Sequence, residues 1–219
     1  LMLCAQNGID TEFEYSPIFD NHHLLRMVIN YAGRLVNNSE TEVVFFNAPN
    51  YIASLEKENN EISEIIASSL SENNLDTISC SYRDLKKSIW EKTILNSSLS
   101  ALCALSKLTM LEAMSDPDLV LVIRQTIEES IQVAQKEGIK IDSDFLDHCM
   151  VYLTKAGNHF PSLAVDFINN KTTEIDLFNG KIVDYSKSHN LRTPINSAFT
   201  SMMRAMTAKA KREQLNQAI

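Results

Sequence analysis

A chain of 219 residues with 44% hydrophobic and 22% charged side chains is ordinary for a globular protein and can bury a sizeable core in one large or two small domains. Its net charge of −8, with no basic block, argues against binding a phosphate backbone. No run approaches the roughly 20 apolar residues of a membrane span, and four scattered cysteines without a CxxC pair read as reduced thiols rather than disulfides or a zinc site.

The chain opens on an apolar run, Leu1–Cys4, read as a buried strand entered partway through, with Gln6-Asn7-Gly8 as the turn that ends it. A domain rarely starts inside a core strand, so a longer parent protein is expected. "LLRMVINYA" (24–32) and "EVVFFNA" (42–48) have strand composition, with "NNSE" as a turn between them. "EISEIIASSL" (61–70) has helical spacing, and "DTISCS" (76–81) reads as another short strand. This is the pattern of an α/β sheet.

From about residue 83 the pattern is helical. The expected elements are a long helix from Arg83 to Met114 with a possible break, and a second capped by Ser115 or Asp116 and stopped at Gly138. A third runs from near Asp142 to Gly157, and a short one follows Pro161. A fifth covers residues 173–190 with Gly180 inside it, and the last has Thr193 as cap and Pro194 as its first residue. Residues 1–82 and 83–219 are thus expected to be separate domains.

Within the long helix, Lys92, Asn96 and Ser100 recur at steps of four and share a face amid Ile89, Trp90, Ile94, Leu95, Leu99 and Leu102. Such a line is either an ordinary polar stripe or the wall of a polar cleft. Ser162 after Pro161 and Glu174 at a helix start could simply serve a cap and a dipole. Asn-Gly at 7–8 is a common turn dipeptide, though at the carboxyl end of a strand it would lie where open α/β sheets bind ligands. The five histidines have no metal-ligand spacing, and the five glycines make no G-x-G-x-x-G. No metal site is expected.

In order along the chain, "QNG", "WEKTILN" (90–96) and "PSLAVDF…TEIDLFNGKIVDYSKSHNLRTPIN" (161–196) resemble the ketopantoate reductase (2-dehydropantoate 2-reductase) family. The resemblance implies the C-terminal portion of a Rossmann-like NADP-binding domain followed by an all-α domain of the 6-phosphogluconate dehydrogenase C-terminal type. It implies NADPH as cofactor, a 2-oxo acid as substrate, and a cytoplasmic reductase of pantothenate synthesis. By position, Lys92 corresponds to the catalytic Lys, and Asn96 and Ser162 to substrate-binding residues. Glu174 corresponds to the Glu that meets the cofactor and orders the site. Asn7 corresponds to an Asn near the nicotinamide and substrate, and Gly33 to a cofactor-contacting backbone position. Ser100 stands where the family usually has a second Asn, and His159 where Asn is often seen.

The resemblance further implies an active cleft between the domains and about ninety preceding residues that bear the Gly-rich loop. The 219-residue chain alone is expected to be inactive. Because it holds no phosphate-cradling glycine loop, fluorescence titration should find NADPH binding weaker than micromolar. Two alternatives stand beside this: a reductase of another 2-oxo acid, and a non-catalytic module that dimerises through apolar helix faces such as "LVLVIRQTIEESIQVA".

Overall fold

The computed structural model describes residues 1–56 and 60–217. Two compact units divide between Ile89 and Trp90. The composition shift at 82/83 coincides instead with the start of helix α2, so the division falls inside that helix.

In the first unit a four-stranded sheet has the order β1-β2-β5-β6, from β1 (Met2–Cys4), β2 (Leu24–Val28), β5 (Asn50–Ser54) and β6 (Thr77–Ser79). β1 and β2 are parallel, β5 runs antiparallel to β2, and β6 is parallel to β5. Every residue of β2 is buried, Arg26 included, as its inner place in the sheet dictates. Among the described residues β1 is the terminal strand in that order, and of its residues Cys4 is buried.

The run 24–32 is not one strand. It ends at Val28, and Tyr31–Asn37 (β3) pairs with Glu40–Phe46 (β4) as a separate hairpin. The "NNSE" turn is where expected, because the Asn37 side-chain oxygen accepts from the Ser39 backbone N–H at 3.0 Å and its hydroxyl at 3.1 Å. β5 was not foreseen: "NYIAS" follows Pro49 and has polar ends, yet Asn50 and Ser54 are buried. Asn50 offsets that burial by accepting the Asn30 N–H at 2.8 Å. Helix α1 (Asn60–Glu72) packs Ala67, Ile66 and Leu70 against Met27 and Ile52 of the sheet.

The second unit is helical: α2 (Tyr82–Ser106, which begins in the first unit), α3 (Met110–Ser115), α4 (Pro117–Lys136), α5 (Phe145–Thr154), α6 (Ser162–Ile168), α7 (Asn179–Ser188) and α8 (Pro194–Gln217). The expected break in the long helix is real. Lys107 takes φ 60°, and Thr109 restarts the chain with a capping box to Glu112. Asp116 caps α4 through the N–H groups of Asp118 and Leu119, with Pro117 next.

Two expectations fail here. The helix proposed for 173–190 begins only at Asn179, since Glu174–Phe178 forms a tight turn in which the Glu174 carbonyl accepts from Leu177 and Phe178. Gly180 permits that turn: a Cβ there would lie 3.3 Å from the Ile175 carbonyl oxygen, which accepts the Gly180 N–H. Thr193 is not the side-chain cap of α8, for its hydroxyl pairs with Ser186. The Glu129 carboxylate of α4 takes the N–H groups of Ile195 and Asn196 at 3.0 and 3.1 Å instead.

All four cysteines are free thiols. Burial, reinforced by Glu112 and Glu91 respectively, pushes Cys103 and Cys149 up to about 12, and burial with Asp84 nearby pushes Cys80 up to about 11. Cys80 follows β6 rather than lying in it.

Candidate active site

Helix α2 has no single apolar face. From Ile89 to Ala104 nearly every residue is buried or half-buried, the signature of a helix surrounded by neighbours. Such a helix must use small or hydrogen-bonded polar residues. Ser97 and Ser98 do so by donating to the carbonyls of Ile94 and Leu95 at 3.0 and 2.6 Å. Lys92 and Asn96 are half-buried and Ser100 is 4% exposed, so the line at steps of four is not a solvent stripe. The Asn96 carboxamide makes no hydrogen bond among the described residues.

Helix α7 lies antiparallel along this stretch. Tyr185 packs against Trp90 with ring centroids 5.3 Å apart and the rings tilted by 54°, while Asn179 donates to the Ser97 carbonyl at 2.9 Å. These two contacts bracket Lys92 and Asn96. The Glu174 turn directly precedes Asn179 in the chain.

The anchor belongs to a network that sequence reasoning missed. Asn179 also donates to the Asn196 side-chain oxygen at 3.0 Å, and Asn196 donates to Glu129 at 2.8 Å and to Ser130 at 3.4 Å. Both asparagines are fully buried. Together they tie α2, α7, α8 and α4 around one polar seam. Their signal was present, since Asn-Gly at 179–180 and Thr-Pro-Ile-Asn at 193–196 are part of the quoted motif. Spacing alone could not separate packing asparagines from ligand-facing ones.

Ser162 is the first residue of α6 and exposed. Pro161 holds the N-cap position without a side-chain bond, so Ser162 is not the cap that its sequence context suggested. The segment before α6 is fixed by the His159 carbonyl, which accepts the Met110 N–H at 3.0 Å.

Two predicted residues lie in the other unit. Asn7 is half-buried in the bend just beyond the carboxyl end of β1, and its carboxamide makes no hydrogen bond among the described residues. Its neighbour Gln6 is engaged, donating to Tyr15 Oη at 2.6 Å and accepting from Cys4 Sγ. The carboxyl end of a strand is where open α/β sheets bind ligands. Gly33 belongs to the separate hairpin, and a Cβ there would meet Thr41 Cγ2 across the strands at 3.1 Å. Its lack of a side chain is thus accounted for by strand pairing.

A groove of about 610 Å³ lies elsewhere, between the end of α2, the end of α6 and the second half of α8, with Lys107, Phe167, Lys171, Met206 and Lys211 among its lining. None of the predicted site residues lines it. Among the described residues no group of His, Cys, Asp or Glu could hold a metal ion, and no helix is long and apolar enough to cross a membrane.

Residues 84–207 match the family description "Ketopantoate reductase PanE/ApbA C terminal". The chain belongs to the ketopantoate reductase family. A 2-dehydropantoate 2-reductase from Streptococcus pyogenes serotype M3 is 26% identical over 94% of this chain and 67% of its own length. Among solved structures, a D-mandelate dehydrogenase in complex with NADH and anilino(oxo)acetate superposes with a TM-score of 0.84 at 23% identity, over 95% of this chain and 68% of its own. A dimeric ketopantoate reductase from Staphylococcus aureus gives 0.81 at 21% identity, over 96% and 69%. These likenesses establish the fold: a mixed α/β N-terminal part followed by a mostly helical region.

Proposed function

We propose that this chain forms part of an NADPH-dependent reductase that converts ketopantoate to pantoate in the cytoplasm, as a step of pantothenate synthesis. The observation that carries the reading is the alignment of Lys92, Asn96 and Ser100 on a surrounded helix, with α7 clamped along the same stretch. The half-buried Asn96 carboxamide, which makes no hydrogen bond among the described residues, sits beside Lys92 on that line and suits a polar or anionic occupant.

The nicotinamide, when bound, supplies the hydride for the C2 carbonyl carbon. Asn7 would lie at its edge; Gly33 was assigned to the cofactor by resemblance and the hairpin gives it no independent support. The residues of the chain do the rest. As the carbonyl double bond breaks, its electron pair moves onto oxygen, and the Lys92 ammonium stabilises that charge and gives up a proton to it. Asn96, Ser100 and Ser162 orient the substrate's hydroxyl and carboxylate ends, which can account for several kcal/mol of barrier reduction. Glu174 orders Lys92 or a cofactor hydroxyl. A homodimer through the helical unit is part of the same proposal, drawn from the dimeric relative.

A second reading is favoured by one residue. Ser100 is shorter than the Asn usual at that position, which enlarges the substrate space, and the mandelate dehydrogenase likeness points to other 2-oxo acids. Comparison of kcat/KM for ketopantoate, pyruvate and an aryl 2-oxo acid in the reductase that contains this chain decides between them. Ketopantoate should lead by at least about 10-fold, and Ser100→Asn should widen the lead. A larger value for the aryl acid transfers the assignment to the second reading, and no NADPH oxidation with any 2-oxo acid removes both.

A further inference from the structure

The bend that carries Asn7 is held from beneath by a charged group in the middle of the sheet. Arg26, on the inner strand β2, is 2% exposed, an unusual place for a cation. Its Nη1 donates to the carbonyls of Cys4 at 3.2 Å and Met27 at 3.0 Å, and its Nη2 donates to the carbonyl of Gly8 at 3.0 Å. Cys4 and Gly8 stand on either side of the bend. Glu12, also nearly fully buried, places Oε2 3.2 Å from Arg26 Nε, close enough for an ion pair but off line for a hydrogen bond. Its other oxygen accepts the Tyr82 hydroxyl at 2.5 Å.

A strand interior would pack as well with a leucine or methionine, and apolar replacement of a buried ion pair is often neutral for stability. What an apolar residue lacks is a planar fork that can grip two carbonyls at once. The bend needs that grip. Gly8 sits at φ 109° and Asp10 at φ 62°, both outside the ordinary range, and their backbone enters no sheet ladder.

We infer that Arg26, set by Glu12, is a positioning residue whose task is to fix the Asn7 bend, and so the direction of the Asn7 carboxamide. The inference rests on the reading of Asn7 as a residue of the reductase site. It has a readout that does not. Asn7-Gly8 can cyclise when the Gly8 nitrogen attacks the Asn7 side-chain carbonyl, expelling ammonia; hydrolysis of the succinimide then leaves an aspartyl or isoaspartyl residue. The attack requires backbone freedom at Gly8.

In the 219-residue chain, Arg26→Met should speed deamidation at Asn7 at least about 10-fold by mass spectrometry. Asn179-Gly180 should keep its wild-type rate, and amides of the β2–β5 ladder their exchange protection. In the complete reductase, Asn7→Ala and Arg26→Met should each lower kcat/KM, and the double variant should be no worse than Asn7→Ala. An unchanged Asn7 rate, or ladder amides that lose protection in step with it, overturns the inference. So do additive losses in the double variant. Wild-type turnover of Asn7→Ala instead removes Asn7 from the reaction, and the deamidation comparison then still decides whether Arg26 holds the bend.

Discussion

Lys92→Ala should lower kcat at least about 100-fold in the reductase that contains this chain, with KM changing much less. The reason is the timing of charge. A 2-oxo acid carries a neutral C2 carbonyl in the ground state, and negative charge grows on its oxygen only as hydride arrives. A cation aimed at that oxygen therefore acts in the transition state rather than on binding. Lys92→Arg should not rescue the rate, because a guanidinium keeps the charge but holds its proton above pH 12 and has a different shape. Circular dichroism of the variant should match wild type, since Lys92 is half-buried and its helix is anchored on either side by Trp90 and Ser97. Turnover near the wild-type value would refute the assignment of Lys92.

How far these assignments were legible in the sequence differs by unit. In the helical unit the stops and starts were written locally: Asp116-Pro117, Gly138, Pro161 and Pro194 each mark an observed boundary. The misplaced start of α7 has a tertiary cause. Asn179 is drawn to the Ser97 carbonyl and Gly180 lets the preceding turn close, neither of which periodicity reports. The same holds for α8, capped by Glu129 from 66 residues away in sequence. In the α/β unit, strand composition located β2 and β4, yet β5 escaped because its buried ends are polar, and Asn50 at one of them is satisfied by Asn30 and Thr77, distant in the chain.

The site was legible in a different sense. Steps of four put Lys92, Asn96 and Ser100 on one helix face, but only packing distinguishes a solvent stripe from an enclosed line, and the enclosure of α2 supplies that distinction. Resemblance, by contrast, could not tell roles apart within a motif. The Asn96 carboxamide makes no hydrogen bond among the described residues, while the amide N–H groups of Asn179 and Asn196 are engaged in packing. Arg26 lies in a run whose composition predicts a strand and nothing more, because nothing in a single sequence reveals that a buried cation faces the carbonyls of a distant bend.

The packing asparagines carry the largest expected effect on stability. Asn196→Ala should destabilise the protein by about 2–4 kcal/mol, seen as a lower urea midpoint with the m-value unchanged. The Asn196 amide group stands at 0% exposure between Asn179, Glu129, Ser130 and the Thr126 carbonyl, so truncation removes four partners and water cannot readily replace them. Asn179 then has one acceptor fewer and Glu129 one donor fewer, and each buried orphan costs about 1–3 kcal/mol. Glu129 still accepts the two backbone N–H groups of α8, so the helix should keep its start and the loss should stop short of complete unfolding. Asn196→Asp separates hydrogen bonding from volume. It fills the same space, but it puts a second carboxylate where an N–H now meets Glu129 Oε2 at 2.8 Å. At pH 7 it should therefore be at least as damaging as alanine, and it should recover part of the loss as the pH falls and one carboxyl of the pair takes up a proton to share. If aspartate is instead tolerated at neutral pH, the seam does not depend on the Asn196 amide, and the clamp of α7 on α2 rests on the Asn179–Ser97 bond and on Trp90 with Tyr185.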